Sequence, residues 1–191
     1  MHNQFQIVLL LYLLFIPIYS MSAEPDQNEI YFNHLKYEYG NRARTYIGMG
    51  VAAKASRDSQ RGSFFQAYYE MEVLNQDIYG HMKKELHVDY QVNWFVNKGL
   101  QAVGYIGWRF LDPKQFVDMV IPYLPKLEEM RSLSDPQHRL FFDYVLAQEQ
   151  AQLEASQAVV VDGEWQDGAD VLQAFLPLAR DVLTQLSETS H

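Results

Sequence analysis

The sequence predicts an all-α protein. Apolar side chains recur at helical spacing in six segments, and no run of useful length alternates as a strand would. Polar loops containing Gly, Ser, Asp or Pro separate most of these segments. The chain has 191 residues, of which 48% are hydrophobic and 14% aromatic, which is typical of one compact domain with a packed core. We therefore expect a single helical-bundle domain over residues 29–186.

The first three predicted helices make up the first half of this domain. Residues 29–55 and 64–86 are long amphipathic segments on either side of the polar loop at residues 56–63. The third segment, residues 93–110, is apolar and aromatic over most of its length. It connects the first pair of helices to the second.

The fourth predicted helix, residues 113–130, begins at a clear start signal. Asp112 supplies an N-capping carboxylate, and Pro113 suits the first helical position because that position needs no N–H donor. Pro122 and Pro125 lie inside the segment. Since an internal proline removes a helical hydrogen bond, we expect a kink there.

The last two predicted helices are residues 136–161 and residues 169–186. Asp135 and Pro136 repeat the acid-proline start signal before the first of them. The second follows a loop at residues 162–168, which contains two Asp-Gly pairs, and it has a strongly apolar face.

The N-terminal residues 1–22 have the layout of a secretory signal peptide. An apolar run at residues 7–16 precedes Ser20 and Ser22, which are small residues at the positions that favour cleavage after Ser22. The run is shorter than the roughly 20 residues that a membrane-spanning helix needs. We expect an exported protein, periplasmic or secreted, or a membrane-anchored one if the segment is retained.

Composition excludes several classes of function. The formal net charge is −9, so the chain lacks the basic face that phosphate-backbone binding requires, and we expect no nucleic-acid partner. The absence of cysteine excludes disulfides, thiolate metal ligands and a cysteine nucleophile. No phosphate-binding loop, nucleophilic triad or zinc-ligand spacing is present. The sequence therefore identifies neither a substrate nor a small-molecule ligand.

Two helices place polar side chains within their apolar faces. Glu72 and Asn75 fall on the inward face of the second helix, and Glu149 and Gln152 on that of the fifth. A carboxylate in a low-dielectric core is costly unless it is paired, protonated or bound to a metal. The pattern therefore predicts a polar centre inside the bundle.

The first helix offers a partner for the two carboxylates. Arg42 interrupts its apolar stripe, to which Tyr46 belongs, and an arginine can bind two carboxylates through its planar guanidinium. We expect a closed ion-pair and hydrogen-bond network. Its predicted members are Arg42, Tyr46, Glu72, Asn75, Glu149 and Gln152.

These motifs resemble those of the ferritin-like di-iron carboxylate superfamily. Its bundles carry Glu-x-x-His on two helices and a single Glu on each of the other two. Here the motif reads Glu72-Val-Leu-Asn75 and Glu149-Gln-Ala-Gln152, so an amide stands at both histidine positions. The resemblance implies a four-helix bundle with a long helical crossover between the second and third bundle helices, and an extra C-terminal helix. It also implies a degenerate metal site.

Two functions follow from the resemblance. The first is a binding or accessory protein without a cofactor, in which Arg42 replaces the metal. The alternative is a di-iron or di-manganese oxidoreductase with an oxygen-rich ligand set. Under that alternative iron or manganese would be held by Glu38, Glu72, Glu149 and Gln152.

The crossover helix carries a second candidate site. Aromatic and basic side chains share the face that its helical periodicity predicts to be polar, a combination typical of membrane-surface helices and of protein interfaces. We expect this face to contact a membrane surface or a protein partner, unless another helix, such as the C-terminal one, covers it. Its residues are Trp94, Lys98, Tyr105, Trp108 and Arg109, and the opposite, apolar face, which includes Phe95 and Ile106, is the one we expect to meet the core.

Overall fold

The computed structural model describes residues 26–189, and the all-α prediction is confirmed for them. The predicted signal peptide at residues 1–22 lies outside the described residues. Residues 26–189 form six helical segments, of which the fourth is divided in two. The elements are α1 (Gln27–Ser56), α2 (Gly62–Glu85), α3 (Trp94–Gly107), α4 (Pro113–Val120), α5 (Leu124–Leu133), a short 3-10 helix (Pro136–His138), α6 (Arg139–Asp162) and α7 (Trp165–Thr189).

Two aspartates cap helix starts, as the sequence predicted. The Asp112 carboxylate accepts a hydrogen bond of 3.0 Å from the backbone N–H of Lys114, and the chain then turns into α4. Asp135 caps the 3-10 helix in the same way, so the α-helical conformation starts at Arg139 rather than at the predicted Pro136. The kink expected from the two prolines is a complete break between α4 and α5.

The first two helices form an antiparallel pair. The ring of Tyr39, early in α1, packs against that of Tyr79, late in α2. Farther along α1, Gly50 lies so close to the ring of Tyr69 that a Cβ atom would be 2.8 Å from it. The short loop at residues 57–61 therefore reverses the direction of the chain between α1 and α2.

Helix α3 returns beside α1 in the same direction. Just before α3, the Tyr90 hydroxyl accepts a 3.1 Å hydrogen bond from Arg44. Toward its end, a Cβ atom on Gly104 would lie 3.0 Å from the carbonyl oxygen of Gly48. The absence of a side chain at Gly104 therefore allows the two helices to approach closely.

The remaining helices complete the bundle around its interior. Helix α5 packs against α1 and α6, α4 packs against α6, and α7 packs against both α2 and α6. The predicted extra C-terminal helix therefore lies between the second and fourth helices of the expected bundle. The interior is enclosed by α1, α2, α7, α6 and the α4–α5 segment. The ferritin-like topology itself stays a prediction.

The interior contains two apolar clusters with a polar layer between them. Along α2, Tyr68 and Met71 belong to one cluster and Ile78 and Tyr79 to the other, and Glu72 lies between them in the chain. The order on α6 is similar: Phe141 to Val145, then Gln148 to Gln152, then Ala155 and Val159. The predicted polar residues therefore lie midway along the core.

No helix in the region 26–189 is long and apolar enough to cross a membrane.

Candidate functional site

The guanidinium of Arg42 lies at the middle of the polar layer. Its Nη1 donates a 2.7 Å hydrogen bond to Glu72, and its Nη2 donates one of 2.5 Å to Glu149. Because these three side chains come from α1, α2 and α6, a single arginine joins three helices. We call Arg42 and the polar side chains connected to it the polar centre.

Glu38 is the third carboxylate of the polar centre. One turn before Arg42 on α1, it is fully buried and lies 3.1 Å from Nε of Arg42. It also accepts hydrogen bonds from the hydroxyls of Tyr79 and Tyr123, the second at 2.6 Å, and from the Gln148 amide at 3.3 Å. These donors come from α2, from the break before α5, and from α6. Glu38 is therefore held by neutral donors as well as by Arg42.

Three carboxyl groups surround one guanidinium, so full ionisation would leave a net negative charge in the core. Burial raises the pKa of Glu72 to about 7 and that of Glu149 to about 7, although Arg42 acts in the opposite direction on both. Burial would lower the pKa of Arg42, but Glu72 and Glu149 raise it well above its usual range. The guanidinium thus stays charged, while the Glu72 and Glu149 carboxyls bind protons near neutral pH.

Buried tyrosines complete the network as neutral donors. Burial and the nearby Glu38 raise the pKa of Tyr79 and of Tyr123 well above the usual range, so both remain protonated phenols. Tyr68 donates a 2.5 Å hydrogen bond to the side-chain oxygen of Gln152, and Tyr144 donates to that of Asn75. The amide oxygens of Gln152 and Asn75 therefore accept hydrogen bonds from phenols.

The network leaves some buried polar atoms without a hydrogen bond. Within the described part of the chain, these include Oε1 of Gln148 and Nε2 of Gln152. Each such atom costs about 1–3 kcal/mol, and a buried ion-pair network is often no more stabilising than apolar packing of the same volume. Its specific arrangement, rather than a gain in stability, distinguishes this centre from an ordinary core.

The structure brings together most of the residues that the sequence placed in this centre. Arg42 contacts both Glu72 and Glu149, whereas Tyr46 is only half-buried and packs its ring on Tyr69, with centroids 5.6 Å apart. The assignment of Tyr46 was wrong because a position four residues after Arg42 is rotated by about 40° around the helix axis. That rotation turns Tyr46 toward the outer part of the contact with α2.

Sequence reasoning missed four participants. Gln148 precedes Glu149 within the apolar sector of α6, and Tyr68 lies on the apolar stripe of α2, so both carried a weak signal. Tyr123 lies in the short turn between α4 and α5, outside any helical periodicity, and its approach to Glu38 depends on the tertiary fold. Tyr144, the fourth, is distinguished from neighbouring core aromatics only by its hydroxyl.

The ligand set of the metal alternative does not fit this arrangement. Glu38, Glu72 and Glu149 each direct an oxygen at Arg42, within 3.1 Å of a guanidinium nitrogen, and Gln152 accepts from Tyr68. A metal cation among these oxygens would have to displace a guanidinium of the same sign of charge. No group of three or more His, Cys, Asp or Glu side chains among residues 26–189 is placed to hold a metal ion.

Four of the five residues that the sequence assigned to the site on α3 lie at the surface. Trp94 and Tyr105 are each 62% exposed, and Lys98 and Arg109 are also exposed. Trp108 is buried against the ring of Phe65, so its assignment to the exposed face was wrong. The chain beyond α3 folds onto the start of α2, and this carries the Trp108 ring inward.

The end of the α3 segment is fixed by a basic side chain from the loop before α2. Arg61 donates hydrogen bonds to the carbonyl oxygens of Trp108 and Leu111, at 2.9 Å and 3.2 Å. The Arg109 guanidinium lies 4.7 Å from the centre of the Trp108 ring. Trp108 is therefore a packing residue covered by a cation.

The C-terminal helix does not cover the α3 surface. Helix α7, which the sequence offered as a candidate, packs against α2 and α6 instead. Phe95 and Ile106, which periodicity assigned to the core side of α3, are 76% and 50% exposed. The exposed apolar surface is therefore larger than predicted.

A separate cavity of about 210 Å³ lies at the end of the bundle that contains the last turn of α2. Its polar lining includes His81, Glu85 and His138, and Nε2 of His138 is 3.5 Å from the Glu85 carboxylate. Since Glu85 is 13 residues beyond Glu72 on the same helix, the cavity is about 20 Å from the polar centre. The two features are distinct.

Comparison of the chain with protein-family models, with curated proteins and with solved structures finds no match.

Proposed function

We propose that this protein is an exported, ferritin-like helical bundle in which an arginine replaces the metal, and that it serves as a binding or accessory protein rather than a catalyst. The observation that carries the proposal is the position of Arg42, whose three nitrogens lie within 3.1 Å of Glu38, Glu72 and Glu149. The N-terminal signal-like segment supports export.

The charge balance of the polar centre supports an arginine that stays in place. One guanidinium provides one positive charge, and the raised pKa values of Glu72 and Glu149 allow the surplus of carboxyls to be neutralised by protons. Phenol and amide donors satisfy Glu38. The centre thus balances its charge from the protein's own groups.

The burial of the polar centre favours binding at the outer surface. Arg42, Glu38, Glu72 and Glu149 are at most 2% exposed, and a group that acts on a substrate has to touch it. The surface of α3 exposes Trp94, Phe95, Tyr105 and Ile106, each by at least 50%. We therefore place partner recognition outside the bundle and assign the polar centre to the architecture of the fold.

Metal analysis tests this proposal against the oxidoreductase alternative. The full chain is purified without chelator or affinity metal, and iron, manganese, copper and zinc are counted per chain before and after incubation with ferrous or manganous ion. We expect far less than one ion per chain in both conditions. About one or two iron or manganese ions per chain, as in metal-binding bundles of this type, would contradict the proposal if the ions are bound by the carboxylates of the polar centre.

A variant shows whether any metal found belongs to the polar centre. Glu149→Gln keeps the shape of the side chain but removes a carboxylate, and Glu154→Gln makes the same change on the exposed side of α6. Metal that is bound by the wild type and by Glu154→Gln but lost in Glu149→Gln would show a site at the centre. Metal retained equally by all three proteins is bound elsewhere and leaves the arginine-filled centre in place.

A further inference from the structure

An exposed strip of α3 combines large apolar side chains with a cation. Trp94, Phe95, Lys98, Tyr105 and Ile106 lie within about 120° of one another around the helix axis. All five are exposed, and the four apolar or aromatic ones are each at least 50% exposed. We call these five residues the α3 face.

The opposite side of α3 contacts the bundle. Leu100 and Gly107 are buried there, and Gly104 makes the close approach to α1 described above. Because that contact uses small and aliphatic residues, α3 is docked without the aromatic side chains of its other side. The α3 face is therefore not needed to hold the helix in place.

The segment that contains α3 has a positive net charge, whereas the whole chain has a negative one. From Tyr90 to Leu111 the charged residues are Lys98 and Arg109, with no Asp or Glu, although the chain as a whole carries a net charge of −9. Anionic phospholipids attract such basic positions near a membrane surface, while the rest of an acidic protein is repelled. Charge complementarity thus favours an anionic membrane and a defined orientation on it.

The position of Lys98 distinguishes a membrane from a protein partner. It lies between Tyr105 and Phe95 around the helix axis and between Trp94 and Tyr105 along it, so it is surrounded by the aromatic part of the strip. Lysine is depleted from the buried centres of protein interfaces. Next to Trp and Tyr, however, it suits the headgroup region, where the ammonium stays hydrated and the rings enter the acyl boundary.

We propose that the α3 face binds the surface of membranes rich in anionic phospholipids, with the helix lying in the plane of the interface. Trp94, Phe95, Tyr105 and Ile106 enter the boundary between headgroups and acyl chains, and Lys98 and Arg109 contact lipid phosphates. This proposal is independent of the polar centre, since none of these side chains contributes to it.

Quenching of Trp94 fluorescence by brominated lipid tests the proposal directly. The full chain is mixed with vesicles of brominated phosphatidylglycerol and phosphatidylethanolamine, or of brominated phosphatidylcholine alone. We expect quenching with the anionic vesicles and little with phosphatidylcholine. The quenching should be lost in Trp94→Phe, because Trp108 is buried and Trp165 packs on Phe65.

Matched variants measure how much each part of the face contributes. We expect the triple change Trp94→Ala, Phe95→Ala and Tyr105→Ala to weaken binding to anionic vesicles by about tenfold or more. Lys98→Gln alone should weaken it about fivefold, since one basic residue near an anionic surface contributes about that much. Val161→Ala and Leu178→Ala, exposed positions on α6 and α7, should have no effect.

The apolar segment at residues 7–16 is present in every variant, so any attachment through it is common to all of them. Trp94 that stays unquenched by anionic vesicles would overturn the proposal, whether or not the chain sediments with them. Equal quenching by phosphatidylcholine would do so as well. Self-association of the chain that Trp94→Ala abolishes, without quenching, would identify the α3 face as a protein interface instead.

Discussion

The polar centre and the α3 face place their unusual side chains in opposite surroundings. At the polar centre four charged side chains are at most 2% exposed, whereas on the α3 face four large apolar or aromatic side chains are at least 50% exposed. The first group is fixed by contacts from several helices, and the second lies on a helix docked through its other side. Removing one member of the first region should therefore destabilise the fold, whereas the second region is available for binding.

Loss of the central cation should have the largest effect on stability. We expect Arg42→Met to lower the free energy of unfolding by about 3–5 kcal/mol, because it leaves buried carboxyls without their charged partner. Arg44→Met, a change on the same helix where the guanidinium bonds Tyr90 at a part-buried position, should cost about 1 kcal/mol. Urea denaturation of both variants measures the difference. Equal stability of Arg42→Met and wild type would refute the role given to Arg42.

The raised pKa of Glu72 predicts a pH dependence of stability. Since burial raises this pKa from 4.5 to about 7, the folded state binds a proton more tightly than the unfolded state does. The stabilisation is complete below about pH 4.5 and is lost as the pH rises through about 7. We expect a total change of about 3 kcal/mol, relative to Glu72→Gln, which cannot titrate.

Urea denaturation between about pH 4 and pH 8 measures this difference between wild type and Glu72→Gln. Glu70→Gln, on the exposed side of the same helix, is the control and should follow wild type. A wild-type stability that rises with pH relative to Glu72→Gln would show that the carboxylate, rather than the acid, is the form the fold prefers.

The α3 face should have the smallest effect on stability. Because Trp94 and Phe95 are mostly exposed, replacing both by alanine should change the free energy of unfolding by less than about 0.5 kcal/mol per residue. Leu100→Ala, on the buried side of the same helix, should cost about 2–4 kcal/mol. Similar costs for the two variants would mean that the aromatic side chains of α3 pack against the bundle.

Helical periodicity was sufficient for the all-α class and for three of the four charged members of the polar centre, whereas Glu38 was predicted only as a ligand in the metal alternative. A charged residue within an apolar stripe is a strong signal, since it has to be compensated by other groups in the core, and this signal identified Arg42, Glu72 and Glu149. Tyr46 carried no such constraint, because a tyrosine is stable at half-buried positions. Tyr123 lies in a turn, so periodicity did not apply to it.

Periodicity failed on α3 for a different reason. That helix is apolar on most sides, so the distribution of side chains does not indicate which side meets the bundle. The docked side is marked by Gly104 and Gly107, which permit close approach to α1, and the large side chains point elsewhere. Phe95 and Ile106 were therefore placed inside, and Trp108 outside, contrary to the structure.

A high-resolution crystal structure of the purified chain, with anomalous data collected at the iron and manganese absorption edges, tests the central claim most directly. We predict planar guanidinium density from Arg42 between Glu72 and Glu149, within hydrogen-bonding distance of both, and no anomalous peak at that position. An anomalous peak coordinated by Glu72 and Glu149, with the Arg42 side chain turned away, would contradict the account.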